Sequence, residues 1–311
     1  MKQVKPKKSL GQHFLTDLTI ARRIADTVDA CPDIPVLEIG PGMGVLTQFL
    51  ITKPREVAAV EIDRESIAYL RQHFPVFSLQ PVSTPPYGGV GGEASKGEGQ
   101  GERLLISGDF LRMDLHNLFG GKEFVLTGNY PYDISSQIFF KMLDNRDIIP
   151  CCTGMIQREV ALRMAAQPGS KTYGILSVLI QAWYDVEYLF TVEPSVFNPP
   201  PKVQSAVIRM TRNDVTSLGC DEQLFRRIMK TVFNQRRKML RVSLRQLLSA
   251  DAINALQTSL TTPLPMGEGS GVGLSLTLRP EQLSIPQFVD LTNHIAPLLT
   301  PKCSTPYIAT E

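Results

Sequence analysis

Apolar positions recur along this chain with two alternating periods. Across 18–30, Ile20, Ile24 and Val28 fall on one side of a helix. Residues 35–39 form instead a short continuous apolar run, the pattern of a buried strand, and Gly40-Pro41-Gly42-Met43-Gly44 follows at once. The pattern then predicts a helix over 45–51, a strand over 57–61 and a helix over 66–73. Residues 104–107 and 124–126 read as further strands, and Gly154-Met155-Ile156 as the start of another before a helical 158–166. Strands alternating with helices predict an α/β fold, a parallel sheet with helices on both faces. From Asn213 onward the spacing is helical throughout. The chain therefore reads as two domains, 1–212 and a small all-helical 213–311.

Two segments break this rhythm. Residues 83–102 and 262–273 are rich in Gly, Pro and Ser, and each contains Gly-Glu-Gly and Gly-Val-Gly. Such composition buries too little apolar surface to offset chain entropy, so both are expected to be flexible surface insertions. A phosphate-cradling role fits them poorly, because neither opens a helix after a strand.

Composition changes the picture little. A hydrophobic content of 43% is that of a soluble protein, and no apolar run approaches the roughly 18–20 residues that cross a bilayer. The basic start of the chain lacks the apolar core of a secretory signal. Five cysteines without CxxC spacing predict reduced thiols and a cytoplasmic protein, and four scattered histidines predict no metal site. Charge says more through its distribution than through its net value of +2. Lys2, Lys5, Lys7 and Lys8 precede the first acid at Asp17. Arg226, Arg227, Lys230, Arg236, Arg237, Lys238, Arg241 and Arg245 then lie in an acid-free stretch over 223–250. Each stretch alone is compatible with a solvated face. Together they point to a polyanion partner, RNA or DNA.

Two motifs carry candidate chemistry. Asn129-Tyr130-Pro131-Tyr132 follows the apolar run 124–128, at the strand edge where open α/β sheets bind ligands. An amide, a rigid proline and an aromatic ring there can accept hydrogen bonds from an exocyclic amine and stack on a flat base, although Asn and Pro are also common turn residues. The glycine loop 40–44 lets backbone approach a ligand closely, and Glu61, at the end of the next strand, is placed to accept from both ribose hydroxyls. The GxGxxG spacing is absent, and an acid at this position serves several nucleotide cofactors alike.

With these residues in place, the chain resembles a known family. Glu38-Ile39-Gly40-Pro41-Gly42-Met43-Gly44-Val45-Leu46-Thr47 looks like the cofactor loop of Rossmann-like S-adenosylmethionine-dependent methyltransferases. Leu10-Gly11-Gln12-His13-Phe14-Leu15, Gly108-Asp109, Asn129-Tyr130-Pro131-Tyr132, the run from Phe197 to Ser205, and Phe233-Asn234-Gln235-Arg236-Arg237-Lys238 together resemble the small-subunit (16S) ribosomal RNA adenine N6,N6-dimethyltransferases, in order over nearly the whole chain. The resemblance implies S-adenosylmethionine as cofactor, held by His13, Leu15, Gly40, Glu61, Asp109 and Asn129. It implies a catalytic set of Asn129, Pro131, Tyr132 and Phe197, with Tyr132 and Phe197 stacking on the two faces of the target adenine. Arg236, Arg237 and Lys238 are implied to contact RNA. The implied substrate is small-subunit rRNA within a pre-30S particle, dimethylated at two adjacent adenosines of its 3′-terminal hairpin by a monomeric enzyme. A large-subunit adenine methylase and a non-catalytic ribosome-assembly factor are the alternatives. Tyr130 departs from the Leu or Ile usual in the family, and its ring is expected to reshape the edge of the pocket.

Overall fold

The computed structural model describes residue 7 and residues 12–81, 102–261 and 274–299. Leu10, Gly11, Lys2, Lys5, Lys8, nearly all of 83–102 and the whole of 262–273 lie outside the described residues. The chain divides into two compact units, Met1–Ala165 with Trp183–Asp214, and Ala166–Ala182 with Val215–Glu311. This grouping differs from a division at 212/213 in two respects: 166–182 goes with the second unit, and the later boundary falls after Asp214.

The first unit is built on one eight-stranded sheet. Its parallel part comprises β2 (Val36–Ile39), β3 (Val57–Glu61), β4 (Ser78–Pro81), β5 (Arg103–Ser107), β6 (Val125–Gly128) and β7 (Cys151–Gln157), in the order β4-β5-β3-β2-β6-β7. Every residue of β2, β3 and β6 is buried, as expected of strands covered on both faces, and this is why they read as continuous apolar runs. From β2 the chain passes outward through β3 to β4 at the edge, fills the gap between them with β5, and then crosses to place β6 on the other side of β2. The crevice at the carboxyl ends of β2 and β6 is therefore the topological switch point, where such sheets bind ligands.

Helices cover the sheet. α1 (Leu18–Ala25) starts at Asp17, whose side chain accepts from the N–H groups of Thr19 and Ile20 at 2.8 and 3.1 Å, and it buries Ala21, Ile24 and Ala25. The expected continuation to residue 30 is a tighter 3-10 turn over Asp26–Ala30. α2 (Thr47–Leu50), α3 (Arg64–His73) and α5 (Arg158–Met164) follow their strands as the pattern predicts, and α4 (Ser135–Asp144) is a further helix after β6 that the pattern did not give.

The sheet's far side was not legible as strand. β8 (Tyr184–Val192) and β10 (Ser205–Arg212) are antiparallel, and β10 inserts between β7 and β8. A separate two-stranded ladder pairs β1 (Phe14–Leu15) with β9 (Phe197–Asn198). The expectation of reduced thiols also needs correction, since Cys31 and Cys151 form a disulfide with Cα atoms 5.9 Å apart. The 3-10 turn ending before Cys31 packs on β7, which brings together two buried sulfurs 120 residues apart in sequence. Among the described residues Cys152 and Cys220 are free.

The second unit is helical, with α6 (Ile175–Gln181), α7 (Glu222–Asn234), α8 (Leu240–Ser243), α9 (Ala250–Thr261) and α10 (Ile285–Leu299). On α7, Phe225, Ile228, Met229 and Val232 are buried at one-turn spacing, while Arg227 and Lys230 are exposed. Phe233 sits between Tyr173 and Phe288, with ring centroids 6.3 and 5.8 Å away.

Candidate active site

At the carboxyl ends of β2, β3 and β6 the first unit encloses a cavity of about 260 Å³. Its walls are the glycine loop after β2, Glu61 and Ile62 after β3, 108–111 after β5, 129–134 after β6, and Gln12, His13, Phe14 and Leu15 from the N-terminal segment. His13, Leu15, Gly40, Glu61, Asp109, Asn129, Pro131 and Tyr132, all singled out in the sequence, thus meet in one place.

The loop after β2 is shaped by backbone. Gly42 has φ +56°, in the left-handed region that side chains disfavour, and an added Cβ would lie 3.1 Å from the Phe14 ring. Its N–H donates to Glu61 Oε2 at 3.0 Å. The N–H groups of Ile62 and Asp63 donate to Glu61 Oε1, both at 2.9 Å. An ionised carboxylate has about four acceptor sites, so Glu61 is locked in place with acceptor capacity left. Burial pushes its pKa up, opposed by those three donors. Asp109 accepts from the Leu111 N–H at 3.0 Å, which fixes the turn that follows β5.

Side chains shape the opposite wall. Asn129 Nδ2 donates to the His13 carbonyl at 3.2 Å, which orients the amide and leaves its oxygen as an acceptor. The Pro131 carbonyl accepts from the Ile134 N–H at 3.3 Å and retains its second lone pair. Tyr132 is half-buried, its hydroxyl hydrogen-bonded to Ser205 Oγ and its ring stacked on His13 at 5.5 Å between centroids. Because the Pro199 carbonyl can only accept, His13 Nδ1, 2.9 Å away, must donate to it.

Three expected residues are placed differently. Phe197 is 4% exposed, absent from the cavity wall, and packed in the core with Leu15, Ala21 and Ile24. In the β1–β9 ladder Phe197 lies directly opposite Leu15 on the same face, yet Leu15 reaches the cavity wall and Phe197 does not. Its ring therefore does not close over a base in this structure. Tyr130 belongs to the cavity wall but is only 1% exposed. Its ring packs edge-on against Phe139, and its hydroxyl donates to the Thr153 carbonyl at 3.0 Å. Gly154 makes the room, since a Cβ there would come within 2.7 Å of the Tyr130 ring and 2.4 Å of the Gly128 carbonyl. In the second unit, the Arg236 guanidinium is occupied by the carbonyls of Ser170 and Lys171, with the Glu281 carboxylate 3.8 Å away. It fastens 166–182 to the helical unit, whereas Arg237 and Lys238 are exposed. Lys7 is likewise engaged, 2.5 Å from Asp63 and 3.2 Å from Glu65.

Two site residues were missed. Glu38 lines the cavity 1% exposed and accepts from Thr47 Oγ1 at 2.7 Å, and burial pushes its pKa up to about 8. A lone acid inside an apolar strand was the signal for it. Ser205, bonded to Tyr132, carries no local signal.

The donor set decides the cofactor. Glu61, Asp109 and Asp133 line the cavity, Glu38 beside them is held protonated near pH 7 by burial, and no lysine or arginine lines it among the described residues. A pyrophosphate would meet this acidic wall unfavourably. A sulfonium and an ammonium joined to a ribose diol and an adenine amine suit it, because each offers positive charge or hydrogen-bond donors to acceptors. Fold and site together define a Rossmann-like methyltransferase that uses S-adenosylmethionine.

Comparison with known proteins narrows this. A family model described as ribosomal RNA adenine dimethylase matches residues 3–84 and 95–270, its gap falling inside the first Gly-rich insertion. The chain is 60% identical over 295 residues to "Ribosomal RNA small subunit methyltransferase A" of Bacteroides thetaiotaomicron, covering 95% of this chain and 96% of that one. It is 57% identical to the protein of that name from Phocaeicola vulgatus, covering 98% and 94%. In fold it is similar to a dimethyladenosine transferase from Plasmodium falciparum, with a TM-score of 0.66, 22% identity and 91% and 97% of the two chains covered. It is similar also to the 23S rRNA methyltransferase ErmE, with a TM-score of 0.57, 24% identity and 90% and 99% covered. The chain belongs to the ribosomal RNA adenine dimethylase family, enzymes that methylate adenine in rRNA.

Proposed function

We propose that this enzyme dimethylates N6 of two adjacent adenosines in the 3′-terminal hairpin of small-subunit rRNA, acting as a monomer on a pre-30S particle in the cytoplasm. Relatives at 52–60% identity carry the small-subunit name over nearly their full length, which supports the substrate. No helix among the described residues is long and apolar enough to cross a membrane.

The observation that carries the catalytic reading is the fixed amide of Asn129. With Nδ2 bonded to the His13 carbonyl, the amide is oriented and its Oδ1 atom is left as an acceptor on a residue of the cavity wall. The free lone pair of the Pro131 carbonyl lies two residues further on. Two acceptors suit the two hydrogens of an adenine amine. Holding both hydrogens favours a pyramidal nitrogen, whose lone pair is otherwise delocalised into the ring, and positions it for in-line attack. S-adenosylmethionine supplies the methyl group, activated on a positive sulfur. A methylated N6 would be acidic enough to give its proton to water, so the residues around it need supply no strong base. Tyr132 offers an aromatic face to the flipped base. Phe197 supports the site from beneath through β9, and Arg237 and Lys238 are the exposed cations of the basic segment assigned to RNA.

Asn129→Ala is expected to lower methyl transfer by about 10²–10³-fold, the scale of losing one preorganised polar group at a reacting centre. Transfer of labelled methyl to unmethylated small-subunit particles, with large-subunit RNA in parallel, measures it. Near-normal turnover in a folded variant would refute the assignment, and preferential labelling of large-subunit RNA would refute the substrate.

A further inference from the structure

The loop between β9 and β10 presents a surface that the cofactor and base assignments do not use. Asn198, Pro199, Pro200, Lys202 and Val203 are exposed, and Val203 at 45% is among the most exposed large apolar residues in the described structure. Lys202 has no ion pair or side-chain hydrogen bond among the described residues. Yet the loop is anchored. At its start the Pro199 carbonyl accepts from His13, and at its end Ser205 holds the Tyr132 hydroxyl. Gln204 Nε2 donates to Glu193 at 2.8 Å, and the Gln204 carbonyl accepts from the Arg158 N–H at 2.9 Å. Three consecutive prolines fix φ through the segment. Little conformational freedom remains to be lost on binding.

A free cation and a bare apolar side chain on a stiff loop, tied at both ends to residues of the base pocket, match what base extrusion needs. A flipped nucleotide leaves a gap in its stack, and its neighbouring phosphate must be held while the base is out. We propose that the 199–204 loop is an RNA-contact surface of the first unit: Lys202 takes a phosphate beside the extruded adenosine, and Val203 fills the gap the base vacates. Arg158, exposed and joined by its backbone to Gln204, adds a second cation at the base of the loop. The proposal rests on Tyr132 as the platform for the target base. It adds a contact zone independent of the basic segment around Arg237 and Lys238.

The test uses the full-length protein and an RNA hairpin with 2-aminopurine at the target position, whose fluorescence reports unstacking. Lys202→Glu is expected to raise Kd for the hairpin about 10-fold. It is also expected to reduce the slope of log Kd against log salt by about 0.7–0.9, the signature of one lost phosphate contact. Val203→Ser is expected to keep that slope but lower the fluorescence change about threefold. Both exposed substitutions are expected to leave S-adenosylmethionine binding and Tm unchanged. An unchanged slope in Lys202→Glu together with an undiminished signal in Val203→Ser would overturn the proposal. Tyr132→Ala separates it from the reading beneath it. A lost signal there beside unaffected loop variants overturns the loop surface alone. An undisturbed signal there beside a reduced salt slope in Lys202→Glu overturns the base platform and upholds the loop contact.

Discussion

The two halves of the cavity are built by different means. On the cofactor side, the main chain does the shaping: N–H groups of Gly42, Ile62 and Asp63 converge on one buried carboxylate, Glu61. On the base side, side chains tie three distant segments together, His13 to the Pro199 carbonyl, Asn129 to the His13 carbonyl, and Tyr132 to the Ser205 hydroxyl. Backbone that converges on one acceptor tolerates little change at that acceptor. Mutually supporting side chains can lose one bond while the others remain. Loss on the cofactor side should therefore be abrupt, and on the base side graded.

Glu61→Ala is the severest test of this difference. It removes the acceptor of three N–H groups at a site 4% exposed, leaving orphaned donors that cost about 1–3 kcal/mol or more. It also removes the group assigned to the ribose. S-adenosylmethionine affinity measured by calorimetry is expected to fall at least about 100-fold, with a lower Tm. A variant that bound the cofactor normally would break the comparison, because the convergence of backbone on Glu61 would then be scaffolding without a binding role.

The same contrast governs what the sequence discloses. Gly40, Gly42 and Glu61 were legible because strand, loop, helix and strand succeed one another within about two dozen residues, each with its own period. The bonds of the base side join residues 186, 116 and 73 positions apart, and no local period marks them. Phe197 illustrates the cost. The resemblance made it a stacking ring, with a core ring before a proline-rich turn as the alternative, and its burial in the core cluster agrees with the alternative. Tyr130 was legible as a departure from a family habit, but its consequence depended on Gly154, a strand away. Antiparallel β8 and β10 escaped because β8 alternates only weakly between buried and exposed positions. Arg236 was indistinguishable from its neighbours by charge, and the carbonyls of Ser170 and Lys171 set it apart.

A second test separates charge from shape on the cofactor side. Burial raises Glu38 from its ordinary value of 4.5 to about 8, with the nearby Glu61 charge adding to the effect and the Thr47 hydroxyl opposing it. The unfolded chain releases this proton near pH 4.5 and the folded chain near pH 8. Over that window the unfolded state binds fewer protons, so stability falls as pH rises and levels off above about 8. Glu61, also raised, acts in the same direction. Glu38→Gln abolishes the Glu38 contribution. It is expected to match the wild type below pH 4.5 and to exceed it by about 3 kcal/mol near pH 7 in urea unfolding. Parallel stability curves for the two proteins would show instead that Glu38 ionises in the folded state as readily as in the unfolded one.

The smallest effect belongs to the base side. Tyr132→Phe keeps the aromatic face, the stacking on His13 and the ring's volume, and removes only the hydroxyl that meets Ser205. One neutral hydrogen bond is worth about 0.5–1.5 kcal/mol, so methyl transfer is expected to fall by about 3–10-fold. Since the bond positions a stacking surface and does not touch the cofactor, S-adenosylmethionine affinity should not move, and the loss should fall on kcat/KM for RNA. Ser205→Ala breaks the same bond from the other end. If positioning is the bond's function, the double variant should lose no more than either single one, because a bond already broken cannot be broken again. Additive losses would mean that Tyr132 and Ser205 act separately, and that the base side, like the cofactor side, has no redundancy in its supports.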